Sequence, residues 1–377
     1  MTSAHTIGNR KDDHLRYAVD QHHHGFDGND FDSVRFVHHA LAGIDRADVD
    51  LTVKVAGMRW ATPLYINGMT GGSRRAGTVN RELAIAAAET GLPIASGSMS
   101  AFLRDRSLAD TYRVLRREHP HGFVMANVNA NITPEEARRA VDLLEADALQ
   151  IHLNAIQEII MPEGDRHFSH WPRRIEHIAA SVGVPVIVKE VGFGLSRETI
   201  ALLRDLGVAV ADVGGRGGTD FAAIENSRRP GAELSFLEGW GQSTVCCLLE
   251  AAQVRGIEVV ASGGVRSALD VARALALGAS AAGVAGKFLS IVIDDGVDAL
   301  IATIRKWLDQ LTSIMTVLGT STPADLARCD LLVGGNVSAY CGLREIESHT
   351  YARRSLASAA SEFDPARGSD PKGGYPA

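Results

Sequence analysis

QIHLNAIQEIIMPEGDR, residues 150–166, reads as a strand with chemistry on one side. Gln150, His152 and Asn154 alternate with Leu149, Ile151 and Leu153, so one face is apolar and the other presents three hydrogen-bonding side chains. Gln157 and Glu158 follow directly. Comparable apolar runs recur at PLYING (63–68), PIASGS (93–98), FVMANVN (123–129), PVIVKEVG (185–192), VAVADVGG (208–215), EVVASGG (258–264) and AAGVAG (281–286). Between them lie segments of helical periodicity such as RELAIAAAETG, PEEARRAVDLLEA, SRETIALLRDLG and SALDVARALALG, several closed by the Gly expected at a helix C-terminus. Eight strand-and-helix units in this length point to an α/β fold of the (β/α)8 TIM-barrel type. A doubly wound sheet is disfavoured, because no G-x-G-x-x-G follows the first strand.

The barrel assigns a direction to each side chain. On the fourth strand Leu149, Ile151 and Leu153 should pack against helices, while Gln150, His152 and Asn154 point to the axis. We expect the barrel over residues 61–320, with an N-terminal extension over 1–60. Residues 321–377 should form a C-terminal helical segment and a disordered tail, since the final stretch EFDPARGSDPKGGYPA is rich in Pro, Gly and charge.

Composition narrows the function. The 377 residues are 45% hydrophobic and 22% charged, ordinary for a globular protein with a large core. A formal net charge of -7 argues against a nucleic-acid partner, which calls for a basic face. The sequence shows no apolar run of membrane-spanning length and no signal-peptide core, so we expect a cytoplasmic protein with no membrane partner. Cys246, Cys247, Cys329 and Cys341 lack C-x-x-C spacing and fit reduced thiols.

Several strand ends carry candidate chemistry. ASGGVRSALD and GVAGKFL close strands seven and eight, where barrels often bind phosphate through backbone N–H groups, and Gly263 and Gly264 let that backbone come close. A tight Gly-Gly turn is the plainer alternative. Lys189 ends strand five and would face an anion or pair with Glu190. DVGGRGGTDF offers glycines around Arg216 and then the hydroxyl of Thr219, either a flexible loop or a second anion-binding backbone. GMTGGS (68–73) and GSMS (97–100) leave clearance for a broad flat ring, whose polar edge Asn127 could meet. Glu158 is a plausible Mg2+ ligand or a solvated helix-start charge, His152 could be a satisfied interior histidine, and MPEGDR a turn pairing Asp165 with Arg166. The convergence of His152, Asn154, Gln157 and Glu158 on one strand end favours a site. No Asp or Glu pair suited to acid–base work stands out at the strand ends.

These stretches, together with RKDDH (10–14), RFVHHAL (35–41), QIHLNAIQE, VKEVGFG, GRGGTDF and GWGQST (239–244), resemble the flavin-dependent type 2 isopentenyl-diphosphate isomerases. The resemblance runs from residue 10 to about 266 and, more weakly, to about 330. It implies an FMN-dependent barrel that interconverts isopentenyl and dimethylallyl diphosphate with Mg2+ and a reduced flavin maintained by NADPH, assembled as a homotetramer or homo-octamer. On the matching positions it implies that Arg10 and Lys11 grip the diphosphate with His14 close by, and that His152 and Asn154 meet the same end. Gln157 would be the catalytic residue beside the reacting carbons and Glu158 would hold Mg2+. Met69, Thr70, Ser98, Asn127, Lys189 and Thr219 would line the flavin, and Gly263, Gly264 and the Val284 and Ala285 backbone would receive its phosphate.

The chain also departs from that pattern. Met99 and Ser100 stand where many members have Gln-Arg, Gly214 where a serine is usual, and Gly286-Lys287 where Arg-Pro is common. The alternative reading is an FMN-dependent barrel oxidoreductase acting on a hydroxy acid, which would share the phosphate and ring sites.

Overall fold

A computed structural model describes residues 2–24 and 28–355, the side chains of 2–11, 24 and 230 excepted. Eight parallel strands close into a barrel: β1 (Leu64–Ile66), β2 (Ile94–Ala95), β3 (Val124–Asn129), β4 (Ala148–Leu153), β5 (Val186–Glu190), β6 (Val210–Asp212), β7 (Glu258–Ser262) and β8 (Ala282–Val284). The order around the ring follows the chain, with β8 hydrogen-bonded to both β7 and β1. All eight expected strands are present, and each is shorter than the apolar run that announced it.

Alternation along the strands separates two cores. Leu149 and Ile151 of β4 are fully buried in the outer core with Val124, Val128, Val186, Val188, Ala211 and Ala261. The outer side of this layer is supplied by helices such as Arg74–Thr90 and Pro134–Leu144. The second of these has a Thr133–Glu136 capping box and proline in its first turn, and the first ends at Gly91 with φ +70°. The opposite parity faces the axis. Tyr65, Ala95, Met125, Ala148, Ile187, Val210 and Val260 fill its N-terminal half.

A hairpin outside the barrel stoppers that end. Strands Val53–Val55 and Met58–Trp60 pair through the turn Ala56-Gly57, both at positive φ as a tight hairpin turn requires. Ala56 N–H donates to Glu258 Oε2 at 2.7 Å, and the buried Trp60 packs on Tyr65 and Phe123 with ring centroids 5.7 and 5.1 Å away. The bottom is thus dry and the polar half faces the other mouth.

The two ends of the described chain meet on one flank. Val34–Phe36 pairs antiparallel with Leu331–Val333, and Val34 and Leu331 are fully buried. Glu250, on the helix Thr244–Ala251, accepts from Arg344 and Tyr340 at 2.6 and 3.0 Å and so ties the C-terminal helix Gly335–Leu343 to the barrel. Residues 356–377, which include the whole of the expected tail EFDPARGSDPKGGYPA, lie outside the described residues.

The stopper yields a prediction. Trp60→Ala should lower unfolding free energy by about 3–5 kcal/mol in a denaturant titration. Trp60→Phe should cost much less, because Trp60 Nε1 makes no hydrogen bond among the described residues.

Candidate active site

Where the axis-facing parity continues toward the C-terminal mouth, it becomes polar. Asp212 on β6 is fully buried and accepts from Tyr65 Oη at 2.7 Å, Asn67 Nδ2 at 3.2 Å and Ser262 Oγ at 2.7 Å. Burial first, and then the Asp212 carboxylate, push the Tyr65 phenol well above its ordinary pKa, so it stays a donor. Gln150 reaches Asn67 Oδ1 at 3.4 Å, and Asn127 Nδ2 reaches Gln150 Oε1 at 3.5 Å. His152 Nδ1 lies 2.7 Å from Asn127 Oδ1. Strands β1, β3, β4, β6 and β7 are therefore cross-linked by buried hydrogen bonds just beneath the mouth. Sequence reasoning placed the Gln150 and His152 face correctly. It missed the roles of Asn67, Asp212 and Ser262, although an Asp at the end of a buried strand was a visible signal.

The end of β4 continues into the short helix Ala155–Ile160. Asn154 Nδ2 donates to Glu158 Oε1 at 2.9 Å and to Gln157 Oε1 at 3.3 Å. Gln157 Nε2 donates to Glu225 Oε1 at 2.8 Å, and the same oxygen lies 2.9 Å from His14 Nε2. Arg228 pairs with the other Glu225 oxygen. Glu225 sits on the helix Phe221–Ser227 after β6, which Asp220 caps by accepting from Ala222 and Ala223 N–H. Burial pushes the Glu225 carboxyl up. The hydrogen bond and charge of His14, helped by Gln157 and Arg228, outweigh it and hold the pKa at about 2. Glu225 was not among the residues singled out from sequence; an acid closing the apolar run FAAI-E was its only trace.

MPEGDR folds back over Glu158. Asp165 N–H donates to Glu158 Oε2 at 2.8 Å, and the Arg166 guanidinium donates to the Met161 carbonyl at 2.8 Å and to the Glu158 carbonyl. A Cβ on Gly164 would lie 2.0 Å from that carbonyl, so the turn needs glycine there. Between Asp165 and Arg166, the Arg166 N–H donates to the Asp165 carboxylate at 2.7 Å and the guanidinium to the Asp165 carbonyl at 2.9 Å, so the described bonds do not join guanidinium to carboxylate.

The opposite side of the mouth is built from backbone. Gly263 has φ +98°, and a Cβ on it would sit 1.9 Å from the Gly215 carbonyl oxygen; one on Gly264 would sit 2.7 Å from Gly217. The loops after β6 and β7 thus touch main chain to main chain. Beside them the helix Gly286–Asp294 starts from Ala285 with no side-chain cap, so its first N–H groups open toward the cavity. Lys189 is buried below, and its Nζ donates to the Glu190 carbonyl at 3.2 Å. The Glu190 carboxylate turns away and accepts from the N–H groups of Val191, Gly192, Phe193 and Gly194. Desolvation nonetheless raises its pKa to about 7. Gly214 has φ +46°, with its Cβ position 2.0 Å from the Glu190 carbonyl, so this backbone does not accept the serine usual there.

Both sides open on one cavity of about 460 Å³. Its wall includes His14, Met69, Ser98, Asn127, His152, Asn154, Gln157, Glu158, Lys189, Thr219, Gly263, Gly264, Val284 and Ala285, all singled out from sequence. Thr70 is not on the wall: its carbonyl accepts from Gly97 N–H at 3.0 Å, and its buried hydroxyl has no partner among the described residues. Arg10 and Lys11 fall on the helix Thr2–His24, but their side chains lie outside the described residues. The same helix brings His22 to the wall, which sequence reasoning left as a polar run. The described residues contain no group of three His, Cys, Asp or Glu side chains placed to hold a metal ion. No helix among them is long and apolar enough to cross a membrane.

The Glu225 network sets a pH dependence. A folded pKa near 2 against an ordinary value of 4.5 stabilises the fold above pH 4.5, and that contribution is lost as pH falls toward 2. Glu225→Gln should lower stability by roughly 1–3 kcal/mol at pH 7. In denaturant titrations, the gap to wild type should narrow below pH 4.5.

Comparison with known proteins agrees with this geometry. Residues 104–332 match the model of the FMN-dependent dehydrogenase family. Among solved structures, a mandelate oxidase variant superposes with a TM-score of 0.58 at 20% identity, covering 89% of this chain and 99% of the other. A lactate oxidase of Pediococcus acidilactici gives 0.61 at 17%, covering 85% and 87%. At such identities these show the shared barrel fold. The isopentenyl-diphosphate delta-isomerase of Nocardia farcinica is 69% identical over 92% of this chain and 96% of its own length. That of Kitasatospora griseola is 62% identical over 92% and 95%, and that of Bacillus licheniformis 44% over 93% and 100%. With a barrel whose mouth sets a backbone cradle against a polar strand end, and with relatives this similar over nearly their full length, the chain belongs to the isopentenyl-diphosphate delta-isomerase family.

Proposed function

We propose that the protein interconverts isopentenyl diphosphate and dimethylallyl diphosphate at this cavity, on a bound FMN kept reduced by NADPH and with Mg2+ at Glu158. The observation that supports this most directly is the placement of two different anion-compatible regions on one cavity wall. Gly263, Gly264 and the uncapped helix at Gly286 suit a phosphate approached by backbone. The β4 end suits a ligand held by side chains and a cation.

The residues fit the flavin. Small residues at Gly68, Ser98, Gly214 and Gly215 leave room for a planar ring, while Lys189 places a buried ammonium beneath it whose described hydrogen bond is to a single carbonyl. Desolvation lowers the Lys189 pKa, and Asp212 and then Glu190 counter it. When bound, the reduced flavin would supply acid–base capacity and an electron-rich surface at the reacting carbons.

The reaction adds a proton to one alkene carbon and removes another nearby, with no net change of redox state. Gln157 has its amide direction fixed, Oε1 toward Asn154 and Nε2 toward Glu225, so it presents a constant face to the reacting carbons. His14 and His152 contribute donors at the diphosphate end. Glu158 spends one lone pair per oxygen on Asn154 and Asp165 N–H, leaving others for Mg2+. Holding the remote diphosphate converts binding energy into orientation of the alkene. Arg10 and Lys11 would add cations from the N-terminal extension. We also place the enzyme in the cytoplasm as a homo-oligomer, following the family resemblance.

Supplied anaerobically with isopentenyl diphosphate, Mg2+, FMN and NADPH, the protein should form dimethylallyl diphosphate. Steady NADPH consumption with a hydroxy acid and no isomer would instead mark an oxidoreductase. Gln157→Ala should keep its yellow flavin while turnover falls roughly 100- to 10,000-fold. Lys189→Ala should weaken flavin binding about tenfold or more in equilibrium dialysis, and equal affinity would remove Lys189 from the cofactor site.

A further inference from the structure

We propose that Arg104 is a substrate-anchoring residue whose guanidinium engages the diphosphate, a role that rests on the isomerase reading above. Arg104 closes the short helix Ser100–Arg104 that follows β2, and both of these residues, one helical turn apart, line the cavity. It is solvent-exposed at the rim and has no hydrogen bond or ion pair among the described residues. Its neighbour in sequence, Asp105, is committed elsewhere, accepting from Ser107 N–H at 3.0 Å and Ser107 Oγ at 2.7 Å.

The other cations on the wall are differently employed. Arg266 is clamped by Asp32 and Asp270 at 2.6 and 2.8 Å. Lys189 is buried at the floor and bonded to the Glu190 carbonyl. Lys287 stands at the start of the helix Gly286–Asp294, beside the backbone cradle.

The Arg104 segment is fastened toward β4 instead. Met99 N–H donates to the Asn127 carbonyl at 2.8 Å, and Asn127 Oδ1 meets His152 Nδ1 at 2.7 Å. Tyr112 Oη donates to the Ser98 carbonyl at 2.8 Å, and the helix packs beside Pro134–Leu144. The backbone that carries this unpaired guanidinium is therefore fixed to β3, next to the strand that carries His152. A planar fork of donors is the group best matched to phosphate oxygens. This compensates for Met99 and Ser100, which leave the start of the segment without a positive charge.

The test titrates isopentenyl diphosphate with Mg2+ into the oxidised flavoprotein by calorimetry and measures steady-state kinetics on the reduced enzyme. Arg104→Ala should raise Kd and KM roughly ten- to hundredfold with kcat and the bound-flavin spectrum retained, and Arg104→Lys should recover part of the loss. Arg106→Ala removes the same charge two residues away, off the cavity wall, and should leave both constants unchanged. Unchanged affinity in Arg104→Ala, or an equal loss in Arg106→Ala, overturns the assignment. Inorganic pyrophosphate titrated in parallel separates the two readings. A weakened pyrophosphate site in Arg104→Ala upholds the anion contact even where wild type forms no isomer, whereas an active wild type with unchanged Arg104→Ala affinities rejects the contact alone.

Discussion

A closed barrel of eight parallel strands has to fill its own axis, and every second residue is committed to doing so. Below, that demand is met by Met125, Ile187, Val210 and Val260 under the Trp60 stopper. Above, the same parity delivers Asn67, Asn127, Gln150, Lys189, Asp212 and Ser262, each taken from water. A buried polar group without a partner costs about 1–3 kcal/mol, so these residues, Lys189 with its bond to the Glu190 carbonyl excepted, hold their positions by satisfying one another. Asp212, receiving donors from β1 and β7, is the hub. The floor of the cavity is rigid because its members cannot rotate without orphaning a neighbour.

That floor separates two chemistries. Ring order puts β8 four strands from β4, diametrically across the mouth. The β7–β8 side presents main chain, with glycines packed so closely that a Cβ would collide, and the β4 side presents side chains. A ligand bound by the first cannot also reach the second unless it is long, whereas two ligands, one on each side, would meet over the centre above Lys189. The architecture therefore suits a cofactor and a substrate that share an axis better than a single metabolite.

How much of this could be read beforehand depended on the range of each interaction. The alternation in 150–154 and the eight apolar runs are local consequences of strand geometry, and they gave the barrel and the inward face of Gln150 and His152. The Gly263-Gly264 and Lys189 positions were legible because barrel topology alone fixes which end of a strand is functional. Glu225 was not, since its significance lies in meeting Gln157, 68 residues away in sequence, and His14 on a separate helix. The position of Thr70 behind the wall was not legible for a related reason. Its neighbours are residues of the β2 loop, and a one-position difference between wall and support is set by packing that no periodicity encodes.

If the proposed function holds, the charge distribution explains how Glu158 can stand in a site for a diphosphate. Its carboxylate is held at the rim from both sides, by Asn154 and by Asp165 N–H, beneath a turn that exists to close over it. Two unit negative charges 4 Å apart at an effective dielectric of 20 repel by about 4 kcal/mol, more than one guanidinium contact repays. A carboxylate so firmly fixed beside a phosphate would therefore oppose binding, unless a divalent cation shared by both reverses the sign. On the proposed function, that argument, rather than any cluster of ligands, is what supports Mg2+ at Glu158. One acidic ligand would be enough, since magnesium commonly takes one or two carboxylates and completes its octahedron with water and phosphate oxygens.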